Sequence, residues 1–334
     1  MNDSFNAFIV EEKRDGSPRR FIGTRRIDDL PAGEVLIRVA YSSLNYKDAL
    51  SASVHKGITR SYPHTPGVDA AGVVEQSTSL AVTPGNEVIV TGYDLGMNTA
   101  GGFAEYIRVP AEWVVPMPHG LTPREAMAYG TAGFTAALSI HRLERHGLAP
   151  ERGPVVVTGA TGGVGSMGVM MLARSGYHVV ASTGKPDEAD FLKRLGAAEV
   201  IDRREIDDRS GKPLLPRRWA GAIDTVGGEP LARLIAAMDY EGAIAACGNV
   251  AGTDIDTTIF PFILRGAALI GINTATTEMP LRKELWERIA SEWKPDELEE
   301  MTRYVGLEEL EGEIETILRG GQRGRVSVAI QNSK

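Results

Sequence analysis

Cysteine is almost absent from this chain. Its 334 residues include one, Cys247, which excludes an internal disulfide, a four-cysteine structural zinc site and a CxxC redox centre. The expected role of that residue is a small buried hydrophobe. Positive charge is also in deficit, with 36 Lys and Arg against 44 Asp and Glu and a formal net charge of −8. That balance opposes non-specific attraction to nucleic acid or anionic lipid. No uninterrupted apolar run approaches the roughly 18 residues of a membrane span, and the opening MNDSFNAFIVEEKRDG lacks the basic-then-apolar pattern of an export signal. The expectation is a soluble, cytoplasmic protein with no nucleic-acid and no membrane partner. At roughly 100–200 residues per domain, the length suggests two domains.

What is present falls into three zones. In residues 1–123, short β-rich runs such as EVLIRVAY (34–41) alternate with turns, and Pro63, Pro66, Pro84, Pro110, Pro116 and Pro118 punctuate them. This zone reads as a compact, mostly β domain. From 124 to 275 the period changes. PREAMAYGTAGFTAALSIHRLERHG has helical spacing, with Pro123 at its start and Gly147 at its end. Strands and helices then alternate from PVVVTG to ALIGIN, which implies right-handed βαβ crossovers and a doubly wound parallel sheet. The third zone, 276–334, reads as charged helices and a closing strand, GRVSVAI (324–330), that returns to the first domain. The 13 acidic and 7 basic residues of 278–324 read as a solvated helix face.

Strand 154–158 runs into Gly159, Ala160, Thr161, Gly162, Gly163, Val164 and Gly165, and then into a helix of small and apolar residues. Small residues let the backbone approach a pyrophosphate, and the free N–H groups at the helix start meet its charge. The register Ala160-x-Gly162-x-x-Gly165 fits a dinucleotide turn. Where an NAD enzyme places an acid at the end of the next strand, this chain has Ser182, Thr183, Gly184 and Lys185. Two hydroxyls and a cation suit a 2′-phosphate and hence NADPH. Arg203 or Arg204, after the third strand, would add a guanidinium over the adenine or a second phosphate contact.

SSLNYKDAL (42–50), YPHTPGVDAAGVV (62–74), GTAGFTAAL (130–138), VTGATGGVGS (157–166), WAGAIDTVGG (219–228) and PFILRGAALIGI (261–272) resemble the zinc-independent medium-chain dehydrogenases/reductases. Within them, the likeness is to the branch of NADPH-dependent acrylyl-CoA reductases and quinone oxidoreductases. The resemblance implies a discontinuous GroES-like β domain enclosing a Rossmann domain. It puts Thr161, Gly162, Gly163 and Val164 at the pyrophosphate, and Ser182, Thr183, Gly184, Lys185 and Arg203 at the adenosine phosphate. It puts Asn249 and Ile272 near the nicotinamide, and Arg325 matches a basic residue that reaches the cofactor. Asn45 occupies the position where zinc-dependent relatives carry a metal-binding Cys, so no metal is expected. Relatives also pair the strand AALIGIN (267–273) across a twofold axis, which implies a homodimer.

Hydride transfer without a metal needs a positioned nicotinamide and a donor for the charge that develops on the acceptor. In this family the NYKD turn lies against the nicotinamide, so Asn45 and Tyr46 are the candidate catalytic residues. Tyr46 would donate a hydrogen bond or a proton. Asn45 either holds the cofactor or substrate carbonyl or caps a helix that begins at Tyr46. The expected small-molecule substrate is an enoyl thioester such as acrylyl-CoA. The alternatives are a quinone or enone on the same scaffold, or binding of NADPH without turnover. Two departures bear on the substrate: Asn249-Val250-Ala251-Gly252 and Asn273-Thr274-Ala275-Thr276 differ from the family's usual loops. If a CoA thioester is bound, Lys56 and Arg60 are the available cations for its phosphates.

Overall fold

The computed structural model describes residues 3–295 and 298–330. The chain divides into two compact units, one of Met1–Thr131 with Ala275–Lys334 and the other of Ala132–Thr274. In the first unit, β1 (Ser4–Glu12) and β2 (Pro18–Arg26) form an antiparallel hairpin. β3 (Val35–Ser43), the short helix α1 (Tyr46–Ser51), β4 (Asp69–Ser77), β5 (Glu87–Thr91), β6 (Tyr106–Val109) and β7 (Val115–Pro116) follow, and α2 (Pro123–Arg145) begins in this unit.

The second unit then reads β8 (Val155–Val157), α3 (Gly163–Arg174), β9 (Val179–Thr183), α4 (Ala189–Arg194), β10 (Glu199–Asp202), β11 (Trp219–Asp224), α5 (Gly228–Ala237), β12 (Met238–Ala246), α6 (Phe260–Arg265) and β13 (Ala268–Gly271). Back in the first unit come α7 (Met279–Ala290), β14 (Thr302–Gly306), α8 (Leu310–Leu318) and β15 (Arg325–Ala329).

Alternation along β3 builds the first unit. Val35, Ile37 and Val39 point into one core with Val326 and Val328 of β15, whereas Leu36 packs with Phe5 and Ile9 under the hairpin. The seven-stranded sheet runs β14-β15-β3-β4-β5-β7, with β6 also on β3. The expected return of the closing strand is present, with Ser327 opposite Ser43.

The second unit is a six-stranded sheet in the order β10-β9-β8-β11-β12-β13, with every pairing parallel. Its order reverses between β8 and β11, the switch point at which such sheets take ligands beyond the strands' carboxyl ends. Val155, Val156 and Val157 are all fully buried, as a strand covered on both faces requires. Among the described residues, no helix is long and apolar enough to cross a membrane.

Where the sequence suggests boundaries at 123/124 and 275/276, the units divide at 131/132 and 274/275. The reason is a break in α2: Gly130 has φ 50 and ψ −153 and interrupts an otherwise helical run. The apolar period continues through this glycine, so the pattern alone reads as one unbroken helix.

Candidate active site

In the first unit the site is built on the turn from β3 into α1. Asn45 is extended (φ −124, ψ 163) and caps α1, its N–H donating to Asp48 Oδ2 at 2.8 Å. Its side-chain Nδ2 donates to Asp69 Oδ2 at 2.7 Å, with longer contacts to Ser43 O and Asp48 Oδ2, both at 3.3 Å. Asp69 is fully buried. It also accepts from Ser43 Oγ (2.5 Å), the Thr131 N–H (2.9 Å) and Thr131 Oγ1 (2.5 Å). Asp48, equally buried, takes the Gly67 and Val68 N–H groups at 3.1 and 2.8 Å on its other oxygen. Two carboxylates thus hold Asn45 between them. Burial, together with the nearby Asp69 charge, pushes Asp48 up to about 7.

In the folded chain the Asn45 amide donates chiefly to Asp69, with Ser43 O and Asp48 sharing the longer contacts, so the residue caps α1 and anchors the turn. Tyr46, next along, is 40% exposed and stands on the first turn of α1.

Arg325 departs from expectation. It is 1% exposed, and its guanidinium donates to Ala128 O (3.2 Å), Leu44 O (3.2 Å) and Ser43 Oγ (2.8 Å). It lies on β15, an interior strand between β14 and β3, so its charge is spent inside the first unit rather than reaching outward. Lys56 is also engaged, paired with Glu12 at 2.6 Å and lying over the Tyr62 ring. Arg60 is exposed.

In the second unit the dinucleotide turn takes the expected form. Gly162 caps α3 with φ −78 and ψ 177, leaving the first N–H groups of the helix at Gly163 and Val164. A Cβ on Gly165 would sit 2.8 Å from Ala160 Cα, so the close crossing of turn and helix demands glycine. Thr161 is buried at 5%. A fully buried carboxylate, Asp224, ties the two strands at the switch point. It accepts from Thr158 Oγ1 at 2.7 Å and from the Gly227 N–H at 2.8 Å. Burial raises its pKa. Asn249 and Ile272 follow the adjacent strands β12 and β13; Asn249 is exposed, and the Ile272 N–H donates to Ala246 O at 3.0 Å.

At the end of β9, Ser182 and Thr183 are 2% and 3% exposed, and Thr183 Oγ1 accepts from the Lys185 N–H at 3.0 Å. The exposed positions are instead Gly184 and Arg203, with Lys185 half-buried. A Cβ on Gly184 would meet Arg203 Cδ at 2.9 Å and Nε at 3.0 Å, so the guanidinium lies across the glycine. Arg204 takes a different course and forms a two-pronged pair with Asp202, with both contacts at 2.8 Å. Of the two arginines left open by the sequence, Arg203 is the one beside the β9 loop. This cradle, with no side chain at Gly162, Gly163, Gly165 or Gly184 and with cations at its far end, fits a phosphorylated dinucleotide.

Asp48, Asp69, Ser43 and Thr131 were not foreseen from the sequence. The Asn-x-x-Asp spacing of a capping box was the one local signal for Asp48.

Residues 31–119 match the model of the alcohol dehydrogenase GroES-like domain, and residues 163–291 match that of the zinc-binding dehydrogenases. Acrylyl-CoA reductase AcuI of Ruegeria pomeroyi is 44% identical over 98% of this chain and 99% of its own length. The crystal structure of Bacillus subtilis protein YhfP with NAD bound is 47% identical, covers 98% of this chain and 99% of its own, and superposes with a TM-score of 0.95. The YhdH oxidoreductase of Salmonella enterica in complex with NADP is 40% identical, with coverage of 98% and 100% and a TM-score of 0.95. With both halves matched and identity sustained over nearly its whole length, this chain belongs to the medium-chain dehydrogenase/reductase family.

Proposed function

We propose that this protein uses NADPH to reduce the activated C=C bond of a small α,β-unsaturated acyl-CoA, without a metal, in the cytoplasm. The observation that carries the substrate class is the 44% identity to an acrylyl-CoA reductase over 98% of the chain. When bound, NADPH supplies the hydride that the β carbon of the thioester receives. The exposed Tyr46 hydroxyl would donate a hydrogen bond to the thioester oxygen, where the negative charge gathers, and the α carbon would take a proton from water to complete the saturated thioester. Asn45 holds Tyr46 in place through Asp69 and Asp48. Gly162 to Val164 take the pyrophosphate, and Lys185 and Arg203 the 2′-phosphate.

The absence of a metal rests on the donor set. The sole cysteine, Cys247, lies in the other unit, and the Asn45 amide is already bound to Asp69. Among the described residues, no three His, Cys, Asp or Glu are grouped to hold an ion.

The test is coenzyme oxidation with acrylyl-CoA, crotonyl-CoA and a simple quinone side by side, with and without chelator. The expected result is turnover of acrylyl-CoA, insensitive to chelation, with NADPH preferred over NADH by roughly tenfold, about 1.4 kcal/mol. Lys185→Ala and Arg203→Ala should raise the NADPH KM and leave NADH unchanged. Reduction of the quinone alone would move the assignment to a quinone reductase. Zinc-dependent recovery after chelation would overturn the metal-free reading.

The protein also fits a homodimer. β13 is an edge strand with unpaired N–H and C=O groups. The preceding segment exposes Ile259 (62%), Phe260 (43%), Ile263 (64%) and Leu264 (55%), an apolar surface that a second copy would cover. Sedimentation at micromolar concentration should give a dimer, and Ile263→Glu with Leu264→Glu a monomer. A wild type that sediments only as monomer contradicts the proposal.

A further inference from the structure

Arg282, near the start of α7, is completely buried. Its Nη1 donates to Thr91 O (2.9 Å) and Thr91 Oγ1 (3.1 Å), its Nη2 to Ala275 O (3.3 Å) and its Nε to Thr277 O (3.4 Å). Its Cζ lies 4.6 Å from the centre of the Tyr93 ring. Burying a cation is costly, and here the fork's donors go to the end of β5 at Thr91 and to the 275–277 segment.

Tyr93 itself is unusual. It is a non-glycine residue at φ 52, a left-handed conformation that bulky side chains adopt only when their surroundings enforce it. The enforcing contacts are visible: its N–H donates to Ala275 O at 2.9 Å, its hydroxyl to Glu112 O at 3.4 Å, and its ring stacks on Trp113 at 5.2 Å with 1° between planes. Arg282 covers the ring and grips the same Ala275 carbonyl.

The turn also adjoins the buried acid that anchors Asn45. Thr91 is the strand partner of Asp69, which anchors Asn45, and the Gly92 N–H donates to Val68 O at 3.1 Å. An observed backbone outlier next to a candidate centre points toward function. We infer that Arg282 is a positioning residue, which holds the strained Tyr93 turn beside the Asn45–Tyr46 centre and so fixes where the substrate sits. This deepens the proposed function and rests on that reading of the centre.

Arg282→Lys keeps the charge and loses the fork. It should lower kcat/KM for the thioester about tenfold while the NADPH Kd, from fluorescence titration, stays within about twofold. In a Tyr93→Ala background the same change should cost less than about twofold, because the residue it acts through is gone. Without any substrate, exchange of the Tyr93 amide hydrogen should be at least about tenfold faster in Arg282→Lys than in the wild type. Additive losses in the double-mutant cycle, or unchanged Tyr93 exchange, overturn the inference. Should Arg282→Lys fail to fold, Thr91→Val, which removes one acceptor, is put through the same cycle and should show a smaller loss that vanishes with Tyr93→Ala. A wild type that reduces neither thioester nor quinone defeats the proposed function, and the exchange comparison still decides the role of Arg282.

Discussion

Gly130→Val is expected to destabilise the first unit strongly. A Cβ at this position would press on Ser43 Oγ, come within 2.5 Å of Asp69 Oδ2 and lie 3.1 Å from Arg325 Nη2. None of the three can retreat easily. Asp69 is held by Ser43, Asn45 and Thr131, and Arg325 is 1% exposed and spread over two carbonyls and a hydroxyl. Overpacking of this kind costs about 1–3 kcal/mol, and a β-branched residue at φ 50 and ψ −153, a region that is essentially glycine-only, costs about 1–3 kcal/mol more. A total of about 2–6 kcal/mol is a large part of the 5–15 kcal/mol that typically separates folded from unfolded chains. Urea unfolding should show the midpoint collapse, with Gly130→Ala intermediate. A valine variant with the wild-type midpoint would mean that the buried cluster is far more yielding than its hydrogen bonds indicate.

The same cluster shows what a reading of the sequence reaches. The dinucleotide turn was legible because its logic is local: a strand, small residues at fixed spacing and a helix all occur within a dozen positions, and the glycine at 165 is demanded by a neighbour five residues away. That the second unit holds a parallel sheet followed from the alternation of strands and helices; the order of its strands did not.

Asp69 was not legible, since its partners lie 24, 26 and 62 residues distant and nothing in GVDAAG announces them. Arg325 was placed at the cofactor from its motif, yet it meets Ser43 across 282 positions. Burial of that kind is decided by tertiary packing. β2 was missed because PRRFIGTRR carries four arginines on a half-exposed strand, which hides the period-2 signal. β14 was missed because TRYVG is short and set among acidic helices. At the end of β9 the hydroxyls of Ser182 and Thr183 belong to a buried strand end, while the exposed Arg203 folds back over Gly184, a contact across 19 residues that the local sequence does not announce.

Asp48 should give the protein a titration near neutral pH. Its pKa is raised to about 7, first by burial and then by the Asp69 charge, against the N–H groups of Asn45 and Val68 that favour the ionised form. In the unfolded chain the same group would titrate near its ordinary value of 3.8. The folded state therefore binds a proton more tightly than the unfolded one. The stability from this group is complete below the unfolded value and is lost as pH rises through about 7, with a slope that approaches about 1.4 kcal/mol per pH unit in between. Asp48→Asn removes the titration and also replaces an acceptor of several N–H groups, so its absolute stability is expected to fall. The diagnostic quantity is therefore the slope. Unfolding free energies from about pH 5 to 8 should decline more steeply in the wild type than in Asp48→Asn. Parallel lines would show that Asp48 stays ionised throughout, with its N–H donors outweighing both burial and Asp69. Because Asn45 gives Asp48 both its backbone N–H and a side-chain contact, protonation also loosens the turn that carries Tyr46. A kcat profile rising with the same apparent pKa in the wild type, and flat in Asp48→Asn, would place that turn in the reaction itself.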